Sequence, residues 1–298
     1  MANRPPPLGF DEIRDAVRRA PPLPSLGHLR ETLRILTEAE EVSVSRLADR
    51  VRLDPALTVR LLRHVRSAGF GQAGALRLED AILMVGARTL RELALLSPVV
   101  ADMRKLSGPE SPGIAGFWMH SASVAVLARF LLGASRGSDN DLDYIAGLVH
   151  DIGWLVIRSL FPAHHAVLEV VLTRGSTMPP EHLEQSVLGA THSMVGAWYL
   201  AGQEADELLV RSALLHGMPE CSGRHAKALA AVQIADQFAA HHGGGFFADP
   251  PANATGAWRE ASGWRLLFPA GREIECEIAK DRLEKNAPRL LGLAAVIS

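Results

Sequence analysis

The stretch AGLVHDIGWL, residues 146–155, places a histidine and an aspartate side by side in an otherwise apolar run. Burying such groups costs free energy unless a partner compensates, so His150 and Asp151 need a reason to be there. An imidazole nitrogen and a carboxylate oxygen together suit zinc, manganese or iron. Gly147 and Gly153 flank the pair, and residues this small would let a partner helix or an ion come close. The stretch therefore predicts a metal-binding position.

Two further polar side chains lie on apolar faces of predicted helices. His120 shares one stripe with Val124 and Leu127, because residues spaced by four and three face the same side of a helix. Asp236 shares another stripe with Val232. A carboxylate that faces a core is harder to explain by packing than a histidine, so Asp236 is a strong companion for the doublet.

Two histidines complete the candidate set. His192 shares a stripe with Val195, and His216 closes the apolar turn of RSALLHGMPE. A single inward histidine is more often a hydrogen-bonded core residue, but a helical bundle can gather one ligand from each of several helices. Glu184, on the predicted helix of His192, is at least as consistent with a solvated or locally paired carboxylate as with a ligand. The candidate metal ligands are His120, His150, Asp151, Asp236, His192 and His216.

The other reactive residues indicate no second site. The triple glycine at 243–245 lacks the lysine and the serine or threonine that follow in a phosphate-binding loop. Cys221 and Cys276 do not have zinc-ribbon spacing. The remaining histidines are interpreted as solvated surface residues or helix caps; they are His28, His64, His164, His165, His182, His225, His241 and His242.

The elements that must position the candidate ligands are predicted to be helices. Aromatic residues make up 5% of the chain, and clean alternation of apolar and polar residues is nearly absent, so strands are not expected. A last amphipathic helix, IAKDRLEKNAPRLLGLA, is expected to be interrupted by Pro288. The predicted fold class is therefore all-α. The other predicted helices span residues 114–133, 141–160, 163–174, 181–202, 204–217 and 224–242.

The helices are predicted to fall into four consecutive parts. Residues 1–19 are an N-terminal extension, and residues 20–105 are a string of short helices that form an N-terminal subdomain. The loop LSGPESPGIAG leads into the longer helices of residues 106–242, which contain every candidate ligand. Residues 243–298 are a loop and a C-terminal helical tail. We expect the N-terminal subdomain to pack on the helical bundle of the third part.

Composition excludes several classes of protein. The 298 residues are 48% hydrophobic and 21% charged, which is typical of a globular protein. Because Lys plus Arg number 31 and Asp plus Glu number 33, there is no bulk positive field for nucleic acid or an anionic membrane. Apolar runs such as ASVAVLARFLLGA are broken by Arg129 and stop short of the roughly 20 residues of a bilayer span. A cytoplasmic location without membrane contact is expected.

One local stretch could support nucleic-acid binding. RLADRVRLDPALTVRLLRHVR is rich in arginine. Such a cluster is more typical of a solvated helix face or a protein contact. Nucleic acid is therefore not an expected partner.

The order of the candidate ligands resembles the HD superfamily of metal-dependent phosphohydrolases. An isolated helix histidine precedes HDIG, and an aspartate follows in QIADQFA. The segments PPLPSLGHLRETLRIL, VSVSRLADRVRLDPALTVRLLRHVRSAGFG and LRLEDAILMVGARTLRELALL are similar to the HDOD family, the HD-related output domain of bacterial signalling proteins. The resemblance covers about residues 20–242 and implies an HD-like bundle.

The resemblance also implies roles for the candidate ligands. The metal ligands of the superfamily match His120, His150, Asp151 and Asp236, and a second metal would draw on His192 and His216. The family often has a histidine pair where this chain has His216 followed by glycine, which implies an incomplete second position. The sister family HD-GYP, which hydrolyses cyclic di-GMP, has a lysine where this chain has Trp154 and a Gly-Tyr-Pro signature that this chain lacks.

These expectations favour a bacterial signalling output module that acts on an unidentified partner protein without catalysis. Its site would be structural or degenerate, with iron, manganese or zinc as the possible divalent metal. The alternative is a metal-dependent phosphohydrolase acting on a phosphomonoester or a nucleotide.

Overall fold

A computed structural model of the chain describes residues 5–21, 78–86, 112–135, 141–174, 178–218, 223–242 and 257–297, with single positions at 44, 48, 61, 65, 90 and 105. Every regular element within these residues is a helix, which confirms the all-α prediction. Most of the predicted N-terminal subdomain, including its arginine-rich stretch, lies outside the described residues, so the division into four parts stays a prediction.

The described helices are mostly those that the apolar periodicity predicts, with two of the predicted helices divided. A single turn of 3₁₀ helix lies at Ala257–Glu260. The α-helices for which both ends are described are α1 (Phe10–Arg18), α2 (Pro112–Ala134), α3 (Asp141–Val149), α4 (Ile152–Leu160), α5 (Pro162–Thr173), α6 (Pro180–Val187), α7 (His192–Gly202), α8 (Glu207–Leu215), α9 (Ala226–His241), α10 (Gly263–Leu267) and α11 (Glu273–Ile297).

Helix α2 is the central helix of the described bundle, with α3, α9 and α11 packed around it. By length and composition alone, its stretch Gly113–Ala134 of 22 residues could cross a membrane. The expectation that every apolar run is too short is therefore wrong for this helix. Its apolar window is 72% buried, which is the behaviour of a core helix. Arg129 is accommodated there with its guanidinium over the Tyr144 ring, 5.9 Å from the centroid.

The predicted helix 141–160 is interrupted at the His-Asp doublet. Helix α3 ends at Val149 and α4 begins at Ile152, so both doublet residues lie in the turn between them. Neighbouring side chains on a regular helix diverge by about 100°. The interruption removes that constraint, and both side chains reach the same side of the bundle.

Close helix packing around the doublet depends on two glycines. A Cβ atom on Gly147 would lie 2.7 Å from Ala125 Cα in α2, and one on Gly153 would lie 1.9 Å from the His192 carbonyl oxygen. Both distances are far below van der Waals contact, so only glycine fits. The prediction that these small residues admit a partner helix is confirmed.

The predicted helix 181–202 is also interrupted, between α6 and α7. Gly189 has φ of 106°, a conformation that favours glycine, and this ends α6. The Thr191 side chain accepts a hydrogen bond from the Met194 amide at 3.2 Å and caps α7. His192 is consequently the first residue of α7.

Both ends of the described chain pack on the bundle. Helix α1 lies against α7, with Ile13 and Val17 buried. Helix α11 lies along α2 and runs through Pro288 without a break, so the expected interruption is wrong. Pro288 and Glu284, whose carbonyl loses its usual donor, are both exposed, so water can satisfy that carbonyl.

Candidate metal centre

Four side chains from three parts of the bundle form the first ligand group: His120 in α2, His150 and Asp151 in the α3–α4 turn, and Asp236 in α9. His120 Nε2 lies 3.1 Å from Asp236 Oδ1 and 3.3 Å from His150 Nε2. Asp151 Oδ2 lies 3.4 Å from His150 Nε2. The structure thus brings together the four residues that the resemblance matches to one metal position.

The second ligand group contains His192, His216 and the other oxygen of Asp151. The two imidazole Nε2 atoms are 3.3 Å apart. Asp151 Oδ1 lies 3.4 Å from the Nε2 of His192 and 3.5 Å from that of His216. Each carboxylate oxygen of Asp151 therefore faces one group, and all six candidate ligands converge. The glycine after His216 does not prevent this convergence.

The two groups are almost enclosed by protein. Five of the six side chains are buried, and the side chain of Asp236 is 26% exposed. All ion pairs of Asp151 and Asp236 within the described residues are with histidines. No described arginine or lysine thus neutralises either carboxylate.

The outer nitrogens of three histidines are held by hydrogen-bond acceptors. His150 Nδ1 donates to Gly147 O at 2.8 Å, and His216 Nδ1 donates to Ala213 O at 3.1 Å. His192 Nδ1 donates to Glu184 Oε1 at 2.8 Å. Because a carbonyl or carboxylate only accepts, the Nδ1 atoms carry the protons and the Nε2 lone pairs can face the centre.

Burial and charge oppose each other at the histidines. Burial lowers the pKa of His150, but the carboxylates of Asp151 and Asp236 raise it by more, so the net pKa is raised. Burial likewise lowers the pKa of His192, but Glu184 and Asp151 raise it well above its ordinary value. Without a metal ion, these two imidazoles therefore favour the doubly protonated, positively charged form. That charge compensates the carboxylates, as a bound cation would.

The carboxylates show the converse. Burial raises the pKa of Asp151, but the neighbouring histidines, His150 foremost, bring it well below its usual range. Burial also raises the pKa of Asp236, and its hydrogen bonds to His120 and His150 bring the net value below the usual range. Both carboxylates are thus ionised at neutral pH, which is the form that binds metal.

The donor set fits divalent metal ions. Atoms that share one zinc ion at about 2.1 Å in tetrahedral geometry are about 3.4 Å apart, and the separations within both groups are close to this. Facing Nε2 lone pairs repel each other unless a proton or a metal ion lies between them, so their convergence requires one of the two. Each of two overlapping sets, His120 with the doublet and Asp151 with His192 and His216, has its donor atoms within 4.8 Å of one another.

Two residues beside the centre were not predicted as part of it. Glu184 is fully buried and accepts a hydrogen bond from His192. The interpretation of Glu184 as a locally paired carboxylate is therefore correct, and its interpretation as a solvated carboxylate is wrong. Trp154 stacks on the His192 ring, with centroids 5.0 Å apart and planes 15° apart. Trp154 thus packs directly on a candidate ligand.

Two other histidines differ from expectation. His164 and His165 were predicted to be solvated or caps, and both are buried in α5. His164 Nε2 lies 3.0 Å from Pro6 O in the N-terminal extension, and His165 Nδ1 lies 3.8 Å from Glu169 Oε2. Neither belongs to the ligand groups.

The fold and this site together define the class of protein. The chain belongs to the HDOD domain family, whose sequence profile matches residues 23–219. A curated relative, an uncharacterised protein of Treponema pallidum (strain Nichols), is 26% identical over 227 residues, which cover 75% of this chain and 43% of the relative. The chain therefore spans less than half the length of that relative.

Solved structures share the fold. An HDOD domain protein of unknown function from Geobacter sulfurreducens has a TM-score of 0.75 at 19% identity, covering 97% of this chain and 99% of that chain. A candidate phosphohydrolase from Shewanella amazonensis has a TM-score of 0.65 at 23% identity, covering 96% and 98%. A candidate signal transduction protein from Marinobacter aquaeolei has a TM-score of 0.61 at 19% identity, covering 96% and 65%. At identities this low, the TM-scores show a likeness of fold.

Proposed function

We propose that this chain is an output module of bacterial signal transduction that acts by binding a partner protein, and that its bundle holds a metal centre with a structural or regulatory role. The observation that carries the proposal is the enclosure of the centre, of whose six candidate ligands only Asp236 is partly exposed. A centre enclosed in this way suits an ion that holds helices together better than one that turns over a bulky substrate.

The comparisons with known proteins support the output role. The HDOD family and a similar structure named for signal transduction agree with an output role. The metal would be iron, manganese or zinc, given imidazole and carboxylate donors.

A metal-dependent phosphohydrolase is the second candidate, and one observation favours it. The second ligand group offers three protein donors, and metal sites with three protein ligands are typical of catalysis because a position stays open. When bound, divalent ions offset the negative charge that develops on a phosphate ester under attack. Asp151 would be a ligand of both positions, since each of its two oxygens faces one ligand group.

Metal analysis and a turnover screen of the purified full chain distinguish the two functions. The chain would be loaded with manganese, iron or zinc and tested on phosphomonoesters, nucleotides and cyclic dinucleotides beside Asp151→Asn. We expect bound metal in the wild type, reduced metal in the variant and no turnover in either. Turnover that is lost in a folded Asp151→Asn variant but kept in Asp281→Asn, an exposed control on α11, would establish the phosphohydrolase instead.

A further inference from the structure

Glu184 lies behind the second ligand group without contributing a donor to it. Oε2 accepts a hydrogen bond from the His192 backbone amide at 2.7 Å, and Oε1 accepts one from the His192 ring Nδ1 at 2.8 Å. We infer that Glu184 is a positioning residue that sets the affinity of the second metal position by fixing the imidazole of His192. The inference rests on the proposed metal centre.

The first step of the argument is the position of the ring proton. The two carboxylate oxygens of Glu184 face the backbone N–H and the ring Nδ1 of His192, at 2.7 and 2.8 Å, and this arrangement holds a ring proton on Nδ1. When a metal ion is bound, Nε2 is then the atom that offers its lone pair, and it lies 3.4 Å from Asp151 Oδ1 and 3.3 Å from His216 Nε2. A carboxylate on the outer nitrogen also makes an imidazole a more basic ligand.

The second step is the orientation of the ring. The Trp154 ring is stacked on one face of the imidazole. The His192 carbonyl oxygen packs so closely on Gly153 that a Cβ atom on this glycine would lie 1.9 Å from it. The backbone amide of His192, at the first position of α7, has no partner within its own helix. Glu184 supplies that partner with the same carboxylate that holds the ring, so backbone and side chain are fixed together.

The third step is that Glu184 acts on one group only. The outer nitrogens of His150 and His216 bond main-chain carbonyl oxygens, which no substitution removes. Glu184, by contrast, is a side chain that bonds only the second group. Its loss should therefore weaken the second position and leave the four donors of the first group intact.

The test is a Mn²⁺ titration of the full chain, followed by equilibrium dialysis and by the electron paramagnetic resonance of bound Mn²⁺. We expect two ions per chain in the wild type. Glu184→Gln keeps the shape of the side chain, but its amide cannot accept both hydrogen bonds, so the second ion should bind about 10- to 100-fold more weakly. Glu181→Gln, an exposed change on the same helix, is the matched control and should bind as the wild type does.

A double-mutant comparison separates positioning from general support of the fold. His192→Ala should remove the second ion, and adding Glu184→Gln to it should change Mn²⁺ binding no further, because the two residues act through one ligand. A second ion bound as tightly by Glu184→Gln as by the wild type would overturn this inference alone. A wild type that binds neither Mn²⁺ nor Zn²⁺ would overturn the metal centre as well.

A measurement on the wild type keeps the inference testable if Glu184→Gln does not fold. In the Zn²⁺-loaded chain, nitrogen-15 NMR of the histidine rings should show His192 with a hydrogen-bonded proton on Nδ1 and none on Nε2. An Nδ1 without a proton would contradict the role of Glu184.

Discussion

The indole ring of Trp154 lies nearly parallel to the imidazole of His192, with planes 15° apart and centroids separated by 5.0 Å. Trp154 is the third residue of α4 and His192 the first of α7, so this contact joins the turn of the His-Asp doublet to the second ligand group. The tryptophan is itself buried. Trp154 therefore packs directly on a candidate metal ligand.

Replacing this ring should show what the contact contributes. Trp154→Ala removes a buried aromatic side chain, which typically costs about 3–5 kcal/mol in the free energy of unfolding. Trp154→Phe keeps an aromatic face and should cost less. Urea unfolding of both variants beside the wild type measures the difference, and equal losses in the two would show that stacking on His192 is unimportant.

Gly153, between the doublet and Trp154, should also tolerate no larger residue. In Gly153→Ala the new Cβ would lie 1.9 Å from the His192 carbonyl oxygen, so α4 and α7 would have to separate. We expect thermal unfolding at a lower temperature and weaker binding of the second metal ion. Gly202→Ala, at the end of α7 with nothing within 4 Å of its Cβ position, is the control and should leave both unchanged.

Helical periodicity was sufficient to find the first ligand group. His120 and Asp236 lie on apolar stripes, and a ligand-type residue on such a stripe must face the core whatever the details of packing. His150 and Asp151 were marked by their apolar surroundings alone. The three-dimensional convergence of these residues follows because α2, α3 and α9 are mutual neighbours.

Periodicity failed where a local signal ended a helix. Gly189 and Thr191 are a helix stop and an N-cap two residues apart, and reading them as such would have placed His192 at a helix start. It would also have put Glu184 in the last turn of the preceding helix, across a short loop from His192. The prediction of one continuous helix over residues 181–202 missed this relationship.

Contacts between residues far apart in sequence could not be predicted from helical periodicity. His164 comes two residues after Pro162 in a typical helix-start context, which indicates an exposed position. It is buried instead, and its Nε2 lies 3.0 Å from the carbonyl oxygen of Pro6, 158 residues away in sequence. No periodic pattern contains that information.

Packing of the N-terminal extension provides a prediction of its own. Ile13 is fully buried where α1 lies on α7. Ile13→Ala should lower the free energy of unfolding by about 2–5 kcal/mol, as large-to-small changes in cores do. Ile274→Ala, at a side chain on α11 that is 76% exposed, should change it by less than about 0.5 kcal/mol. Similar losses in both would show that α1 does not pack in solution as described.

Metal removal should destabilise the fold in proportion to how tightly the ions bind. A ligand that binds only the folded state at 100 times its dissociation constant adds about 2.7 kcal/mol to stability. Treatment of the loaded chain with a chelator should therefore lower the unfolding temperature, and returning Mn²⁺ or Zn²⁺ should restore it. Asp151→Asn weakens a donor of both groups, so its unfolding temperature should respond less to either treatment. A wild type that responds no more than this variant would count against metal bound at the doublet.

The pH dependence of stability should contain a contribution from His165, away from the metal centre. Burial, with repulsion from Arg158, lowers the pKa of His165 to about 4, against about 6.5 in the unfolded chain. Between these values the unfolded state binds the additional proton, so stability falls as the pH is lowered. For one such group the loss between pH 7 and pH 5 is about 2 kcal/mol.

Urea unfolding at both pH values should show this loss reduced in His165→Gln. The control is His182→Gln, a change at an exposed histidine on α6, which should keep the full pH dependence. The same slope in the wild type and in His165→Gln would mean that this imidazole is not buried in its neutral form.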